Sequence, residues 1–186
     1  MDREPLPVFK YFLDPVADGV VQESPAVCRC CERARGFIYT VTATGGDDED
    51  FVDAFCPWCI ASGEAAAKFD VEFVYRDTVG GVPRVWDEVP EPVVTDLVTR
   101  TPSFIAWQGE QWFTHCRDAA MYLGRAGYEE LVGEWRAAAP VIRAEAGMSE
   151  EEWDDRLQIL HRDGDCSAYV FRCLHCGQLG GYFDCS

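Results

Sequence analysis

Two short stretches decide the fold of this chain: Cys28-Arg29-Cys30-Cys31 and, after 24 intervening residues, Cys56-Pro57-Trp58-Cys59. With Cys28 taken as the partner of Cys31, each stretch holds a Cys-x-x-Cys pair, which turns two sulfur atoms to one side of a tight bend. Two such pairs can surround one tetrahedral metal ion, and zinc is the usual ion. The pattern predicts a structural zinc site made of Cys28, Cys31, Cys56 and Cys59. Cys30 is expected to point away from it.

The segments around these pairs predict short strands. Residues 36–41 and 51–55 are rich in aromatic and β-branched side chains, which predicts two strands of a hairpin with an acidic turn at 45–50 between them. Residues 6–13 predict a further short strand, and residues 60–69 predict a helix. This alternation of strands with Cys-x-x-Cys pairs is typical of a zinc ribbon.

The middle of the chain contains the best linker candidate, residues 79–92, which are dense in Gly and Pro. A helix is predicted from residue 93 until Thr101-Pro102 stops it. Residues 104–107 and 111–114 predict a hairpin with an aromatic face, which we expect to lie in the core. Residues 118–123 predict a turn of helix.

The last third of the chain predicts two helices and two strands. Tyr128, Leu131, Val132 and Trp135 follow the spacing of one helical face. Ser149 and Glu152 form a capping box that opens the second helix. Residues 168–171 and 181–184 predict strands on either side of a third cysteine pair.

These patterns together predict an α+β fold in which small antiparallel, zinc-ribbon-like hairpins alternate with helices. We expect residues 1–186 to form a single compact protein. Within it, residues 1–78 would make an N-terminal zinc-ribbon-like unit, and residues 93–186 a helical unit with a C-terminal zinc knuckle.

Cys173 and Cys176 form the third Cys-x-x-Cys pair, which needs two more ligands for a second zinc site. Cys166 and Cys185 are poor candidates, because along extended strands they would lie roughly 23–30 Å away at about 3.3 Å per residue. Cys116 is the better third ligand. The fourth position is open to three candidates: His115, His161 and water.

The first and third cysteine pairs have similar surroundings. Cys31 precedes Gly36-Phe37 by five residues, and Cys176 precedes Gly181-Tyr182 by five. Both segments read as a knuckle that folds back into a strand started by glycine. The similarity suggests two related structural units.

The formal charge of −17 restricts the partners of the protein. A chain this acidic repels phosphate backbones, so we expect no nucleic-acid partner. Acidity can simply keep a protein in solution. Its functional alternative is an unknown protein partner with a basic surface.

The clustered cysteines among the ten are interpreted as metal ligands rather than as disulfides. The first residues, Met1-Asp2-Arg3-Glu4-Pro5, lead into no apolar run typical of a signal peptide, and no stretch approaches the roughly 20 apolar residues of a membrane span. We therefore expect a cytoplasmic protein in a reducing environment, with no membrane partner.

Several motifs in order resemble the CbrC-like family of bacterial proteins. They are Leu6-Pro7-x-Phe9-Lys10-Tyr11, Cys56-Pro57-Trp58-Cys59-Ile60-Ala61-x-Gly63, Thr101-Pro102-x-Phe104-x-x-Trp107-Gln108-x-Glu110-x-Trp112, and Phe171-Arg172-Cys173-Leu174-His175-Cys176-Gly177. The resemblance covers nearly the whole chain. It implies a small cytosolic protein of unknown biochemical function, with a family label linked to colicin tolerance. Family members often have a second cysteine shortly after the position of Cys116, which this chain lacks.

The preferred interpretation is a zinc-stabilised binding or adaptor protein with no catalytic residue. One alternative is a thiol–disulfide oxidoreductase that uses Cys56 and Cys59, because such pairs often lie between a strand and a helix whose N-terminus lowers the pKa of a thiol. Another is an acidic inhibitor of a basic toxin or enzyme. A catalytic pair of Cys116 with a histidine is disfavoured, since no nucleophile motif surrounds it.

Overall fold

The computed structural model describes residues 4–46, 49–80 and 86–186. Within these ranges the chain forms six α-helices and nine short strands, and the strand ladders are antiparallel. This confirms the predicted α+β class with small antiparallel hairpins. Two predictions fall partly outside these ranges: the acidic turn, at residues 47–48, and the linker, at residues 81–85. None of the helices in the described part of the chain is long and apolar enough to span a membrane.

The described residues group into two compact units. The first contains those of Met1–Arg76 and Glu91–Ile105, and the second contains those of Asp77–Pro90 and Ala106–Ser186. A short 3₁₀ turn, Arg76–Thr78, lies where the chain passes from the first unit to the second. The single compact protein with units 1–78 and 93–186 stays a prediction.

The strands of the first unit are very short. Strand β1 (Val21–Glu23) pairs with β2 (Phe37–Tyr39), and β3 (Ala43–Thr44) pairs with β4 (Asp50–Phe51). The strand predicted over 36–41 is thus confirmed, but the one predicted over 51–55 ends after its first residue. The chain turns there because Asp53 takes a left-handed conformation with φ of 49°.

Three helices complete the first unit. Helices α1 (Pro57–Ala61) and α2 (Glu64–Phe69) replace the single helix predicted over 60–69, because Gly63 lies between them with φ of 77°. Such a φ ends a helix and suits glycine. Helix α3 (Glu91–Arg100) confirms the helix predicted from residue 93 and buries one apolar side of three residues, Val94, Leu97 and Val98.

Aromatic side chains fill the core of the first unit. Neighbouring ring centroids lie 5.1 to 5.8 Å apart, in the tilted and edge-to-face arrangements that aromatic pairs prefer. The members are Tyr39, Phe51, Phe55, Phe69 and Phe73. The N-terminal segment adds buried Phe9, Tyr11 and Phe12 without forming the strand predicted over 6–13. Pro5 and Pro7 cannot donate to a ladder there.

The second unit is built on a three-stranded sheet in the order β7-β8-β9. Its strands are β7 (Met121–Ala126), β8 (Cys166–Arg172) and β9 (Leu179–Cys185). Strands β8 and β9 confirm the two strands predicted around the third cysteine pair. A separate hairpin pairs β5 (Thr114–His115) with β6 (Asp118–Ala119). The turn of helix predicted over 118–123 is therefore wrong.

Three helices pack in the second unit: α4 (Tyr128–Val132), α5 (Ala139–Glu145) and α6 (Glu150–Ile159). The predicted capping box of α6 is confirmed, since the Glu152 N–H donates to Ser149 Oγ at 3.3 Å and the Ser149 N–H donates to Glu152 Oε2 at 2.9 Å. The helices and the sheet share a core that includes Leu131, Ile142, Trp153 and Val170.

The hairpin predicted over 104–114 does not form, because its backbone groups bond elsewhere. The Trp112 N–H donates to the Thr78 carbonyl at 2.8 Å, and the Gly80 N–H donates to the Trp112 carbonyl at 3.1 Å. The Gln108 N–H donates to Asp184 Oδ2 at 3.0 Å. The aromatic residues Phe104, Trp112 and Phe113 are nevertheless buried as expected, whereas Trp107 is half exposed.

Gly181 provides a test of the sheet of the second unit. It has φ of +148°, and a Cβ there would lie 1.9 Å from the Tyr169 carbonyl oxygen. Gly181→Ala should therefore lower the free energy of unfolding by about 3 kcal/mol or more, because a backbone atom cannot give way cheaply. Gly147, with φ of +66° and open space around it, is the matched control, and Gly147→Ala should cost only about 1 kcal/mol. Equal losses in urea denaturation would contradict the close approach of β8 and β9.

Candidate metal centres

The first Cys-x-x-Cys turn is held by two backbone hydrogen bonds. The Glu32 N–H donates to the Cys28 carbonyl at 2.8 Å, and the Cys28 N–H donates to the Arg33 carbonyl at 3.1 Å. Glu32 takes a left-handed conformation with φ of 57°, which reverses the chain directly after Cys31. The result is a compact knuckle that presents its two cysteine side chains together.

The third Cys-x-x-Cys turn has the same hydrogen bonds. The Gly177 N–H donates to the Cys173 carbonyl at 3.1 Å, and the Cys173 N–H donates to the Gln178 carbonyl at 2.9 Å. Gly177 takes the left-handed position with φ of 76°, which glycine adopts readily. The two knuckles therefore share one local structure, in agreement with the similarity of their sequences.

The second pair lies at the start of a helix. Cys56 is the N-cap residue of α1, Pro57 occupies the first helical turn, and Cys59 follows within that turn. Proline suits this position because its missing N–H would have no partner inside the helix. The helix thereby holds the two sulfur atoms of Cys56 and Cys59 on one side, and both residues are buried.

The knuckle and the helix start bring four sulfur atoms together as predicted. The Sγ atoms of Cys28, Cys31, Cys56 and Cys59 all lie within 4.8 Å of one another, so the set can hold a metal ion. The sulfur atoms of Cys31 and Cys56 are 3.9 Å apart. Tetrahedral bonds of about 2.3 Å would place sulfur atoms about 3.8 Å apart. This spacing fits a tetrahedral ion with little adjustment.

The surroundings of this first centre favour thiolate at Cys28. A hydrogen bond from the Cys56 thiol is the largest cause that lowers the pKa of Cys28, to about 4, and the same bond raises the pKa of Cys56. The Cys56 N–H also donates to Cys28 Sγ at 3.3 Å. Burial raises the pKa of Cys59. A cation at this position would stabilise all four groups as thiolates.

The second centre is built on the β5–β6 hairpin. Cys116 and Arg117 form its two-residue tip, and both take left-handed conformations with φ of 56° and 58°. Two consecutive left-handed residues form the turn that matches the twist of a tight hairpin. Residues other than glycine take this conformation at a cost in free energy. This turn places Cys116 beside the neighbouring strand residue His115, at one end of the hairpin.

Four side chains converge at this second centre. Ligand atoms of His115, Cys116, Cys173 and Cys176 all lie within 4.8 Å of one another. Cys176 Sγ and His115 Nδ1 are 3.5 Å apart, close to the roughly 3.6 Å of a sulfur–nitrogen edge in a tetrahedral zinc site. Burial opposes thiolate at Cys173, but hydrogen bonds from the Cys176 backbone and the His115 side chain lower its pKa to about 6.

His115 and Asp118 are fixed by neighbours of the second centre. The His115 ring stacks on Phe113 with a centroid distance of 6.3 Å and an interplanar angle of 12°. Asp118 Oδ2 lies 3.0 Å from His175 Nε2, which ties the hairpin to the knuckle between Cys173 and Cys176. Such contacts orient ligands before a metal binds.

The ligand sets predicted from the sequence are thus brought together in the structure; that they bind metal stays a prediction. Of the three candidates for the fourth ligand of the second centre, the structure brings His115 to the three cysteines. His161 is not among its donors. Cys30 does not simply point away as expected, because its thiol lies within 4.8 Å of the Cys59 thiol and of the Glu64 carboxylate.

Sequence reasoning missed the disulfide between Cys166 and Cys185. Cys166 and Cys185 were expected only to be poor metal ligands, and no bridge between them was predicted. The two residues face each other directly across β8 and β9, with Cα atoms 4.1 Å apart. The sequence contains one clue to this bridge. Cys166 and Cys185 lie at the far ends of the two strands that flank the third cysteine pair, so antiparallel pairing of these strands brings the two residues together.

The fold and the two ligand sets define a cysteine-rich α+β protein with two candidate metal centres of four protein donors each. The chain belongs to an uncharacterised protein family, UPF0167, whose model matches residues 6–185. Both centres therefore lie inside the part of the chain that the family describes.

Three curated proteins show this relationship along nearly their full length. The UPF0167 proteins Mb2317 of Mycobacterium bovis and MT2352 of Mycobacterium tuberculosis are each 38% identical over 182 residues, which cover 96% of this chain and 93% of theirs. The UPF0167 protein PA1536 of Pseudomonas aeruginosa is 35% identical over 175 residues, which cover 94% of both chains. No solved structure matches the chain significantly.

His115 offers the sharpest test of the second centre. His115→Ala removes one of four donors, so we expect the protein to bind one metal ion fewer and the second unit to unfold at a lower temperature. His115→Cys supplies a thiolate at the same position and should keep the ion. Metal content and thermal unfolding of the two variants are compared. Full metal content in His115→Ala would remove this residue from the ligand set.

Proposed function

We propose that the protein is a zinc-stabilised cytoplasmic binding or adaptor protein, and that both metal centres hold zinc. The chemistry of the donor atoms supports zinc as the metal ion. Seven of the eight donors are cysteine sulfur atoms and the eighth is a histidine nitrogen. Soft thiolate sets in tetrahedral arrangement select zinc over magnesium or calcium, which prefer oxygen.

Each ion in this proposal has a structural role. Four protein donors complete a tetrahedral zinc site and leave no position for a water molecule or a substrate. The ions then stabilise the two units, and the work of the protein takes place on its surface. The convergence of four cysteines at the first centre is the single observation that carries the proposal.

The charge of the chain supports a basic protein partner. Its surface must carry most of the 33 acidic residues, against 16 lysines and arginines. The one arginine cluster near the first knuckle is partly neutralised, since Arg29 pairs with Glu49 at 3.2 Å and Arg35 pairs with Glu4. Burial lowers the pKa of Arg35, but the hydrogen bond and charge of Glu4 outweigh it and raise that pKa above its ordinary value. An inhibitor of a basic toxin or enzyme is one form of such a partner role.

Two finer assignments belong to this proposal. The ordered motifs support a place among the CbrC-like proteins within the uncharacterised family. A cytoplasmic location is supported by the eight free cysteines, most of them clustered in the two centres, which persist best in a reducing compartment. The Cys166–Cys185 disulfide is the one feature of the described cysteines that opposes this location.

The oxidoreductase alternative rests on Cys56 and Cys59 at the start of α1. A reactive pair of this kind has an exposed first cysteine with a lowered pKa. Here Cys56 is only 1% exposed, and the hydrogen bond to Cys28 raises its pKa. Both features disfavour redox exchange at this pair.

Metal analysis of protein purified without added zinc tests the proposal. We expect two zinc ions per chain. Cys56→Ser should lose the ion of the first centre and unfold the first unit, because metal binding and folding are coupled there. Cys30→Ser is the matched control, since this neighbouring cysteine is not one of the four donors, and it should keep two.

Alkylation under native conditions separates ligation from redox exchange. Thiolates bound to zinc resist iodoacetamide, so Cys56 and Cys59 should react only after a chelator is added. Rapid alkylation of Cys56 in untreated protein, together with zinc content that Cys56→Ser leaves unchanged, would reject the zinc assignment and favour the oxidoreductase.

The charge also predicts a negative result with nucleic acid. At −17 overall, the chain should bind duplex DNA weakly or not at all at physiological salt, because phosphate repulsion outweighs contacts from a few paired arginines. A fluorescence anisotropy titration measures this. Sub-micromolar binding that weakens steeply with salt would show a basic surface that the overall charge conceals.

A further inference from the structure

A third group of donors lies against the first centre. Cys30 Sγ, Cys59 Sγ and a carboxylate oxygen of Glu64 all lie within 4.8 Å of one another. Cys59 belongs to this group and also to the four cysteines of the first centre. A thiolate sulfur has several lone pairs and can bridge two metal ions. The two groups therefore have the connectivity of a two-metal cluster with one shared sulfur.

Separate elements of the first unit hold these donors in place. Cys30 lies within the knuckle between two ligands of the first centre, and Cys59 lies in α1. Glu64 is the first residue of α2. Lys68, one turn later on α2, donates from Nζ to the Cys30 carbonyl at 2.9 Å, which ties the knuckle to the helix that carries Glu64. This contact joins the two backbone segments that carry Cys30 and Glu64.

The local charge favours a second cation. Zinc bound by four thiolates keeps a net charge of −2, Glu64 adds one negative charge beside it, and the Lys68 ammonium offsets one of these three charges. A divalent ion between Cys30, Cys59 and Glu64 would offset the ionised carboxylate and the Cys30 thiolate. Two sulfur atoms and one oxygen select a soft or borderline ion such as zinc or cadmium.

We propose that Cys30, Cys59 and Glu64 form a third, exchangeable site for a soft divalent cation, which shares the Cys59 thiolate with the structural zinc of the first centre. The inference rests on the proposed zinc at that centre. Three protein donors leave the fourth tetrahedral position to water, and Glu64 is exposed to solvent. The ion at this site therefore exchanges more readily than the two structural ions.

When the ion binds, one metal–sulfur bond forms to Cys59 without breaking its bond to the structural zinc. A second bond forms to Cys30, whose thiol proton passes to solvent, and the third forms to the Glu64 carboxylate. No electron is transferred.

Cobalt(II) is the probe for this site, because zinc is spectroscopically silent. Full-length protein that holds two zinc ions is titrated with Co²⁺, while thiolate-to-cobalt charge-transfer absorbance and released zinc are both measured. We expect one equivalent of cobalt to bind with a thiolate band and no loss of zinc. Release of zinc in step with the band would mean replacement at the structural centres, which would overturn the third site.

Two variants test the donors, and a third controls for cobalt bound non-specifically by exposed carboxylates. Cys30→Ser and Glu64→Gln should each keep two zinc ions and lose the third equivalent, and Cys30→Ser should also lose most of the charge-transfer band. Glu32→Gln removes an exposed carboxylate directly after Cys31 and should leave the titration unchanged. Uptake that survives Cys30→Ser would place the ion elsewhere on the acidic surface and reject the site.

The outcome also separates this inference from the proposed function. Protein that starts with two zinc ions but takes up no cobalt supports the structural centres and rejects only the third site, with Cys30 left as a buried structural thiol. Protein that never holds zinc at the first centre rejects both.

Discussion

The close approach of four cysteine side chains is the constraint on which the first unit depends. The sulfur atoms of Cys28, Cys31, Cys56 and Cys59 are held within 4.8 Å of one another. Like charges at this distance disfavour each other's ionisation. A divalent cation at their centre would turn the repulsion between thiolates into binding energy, and in small metal domains such binding energy is folding energy. The first knuckle and the start of helix α1 hold these four side chains in place.

The short strands explain why such an anchor is needed. Strands of two or three residues make few ladder hydrogen bonds, and an isolated two-stranded hairpin is marginal in water. The aromatic cluster around Phe55 supplies packing, and the knuckle fixes where the strands begin. In the second unit the longer strands of the three-stranded sheet make more ladder hydrogen bonds, and the candidate metal centre lies at one end of the β5–β6 hairpin. Both units thus contain the same type of cysteine knuckle, but the first unit depends on it more.

Much of the candidate chemistry could be predicted from the sequence, because a knuckle is a local structure. The spacing within Cys28–Cys31 and Cys173–Cys176 fixes a turn that depends on a few neighbouring residues. His115 could be named only as one candidate among three, because the choice depends on where the β5–β6 hairpin places it. The two left-handed residues at its tip, Cys116 and Arg117, are not of the types that usually mark such a turn. The sequence therefore predicts a turn of helix over residues 118–123, where the structure has strand β6. The Cys166–Cys185 bridge depends on the register of β8 and β9, which is a property of the whole sheet.

X-ray absorption at the zinc edge tests the central claim most directly, because it reports the atoms bound to the metal. The measurement is made on full-length protein that holds two zinc ions per chain. The two centres predict a first shell of seven sulfur atoms and one nitrogen atom shared between the two ions, with zinc–sulfur distances of about 2.3 Å. A first shell dominated by oxygen or nitrogen at about 2.0 to 2.1 Å would contradict the account, because the cysteines would then not be the ligands.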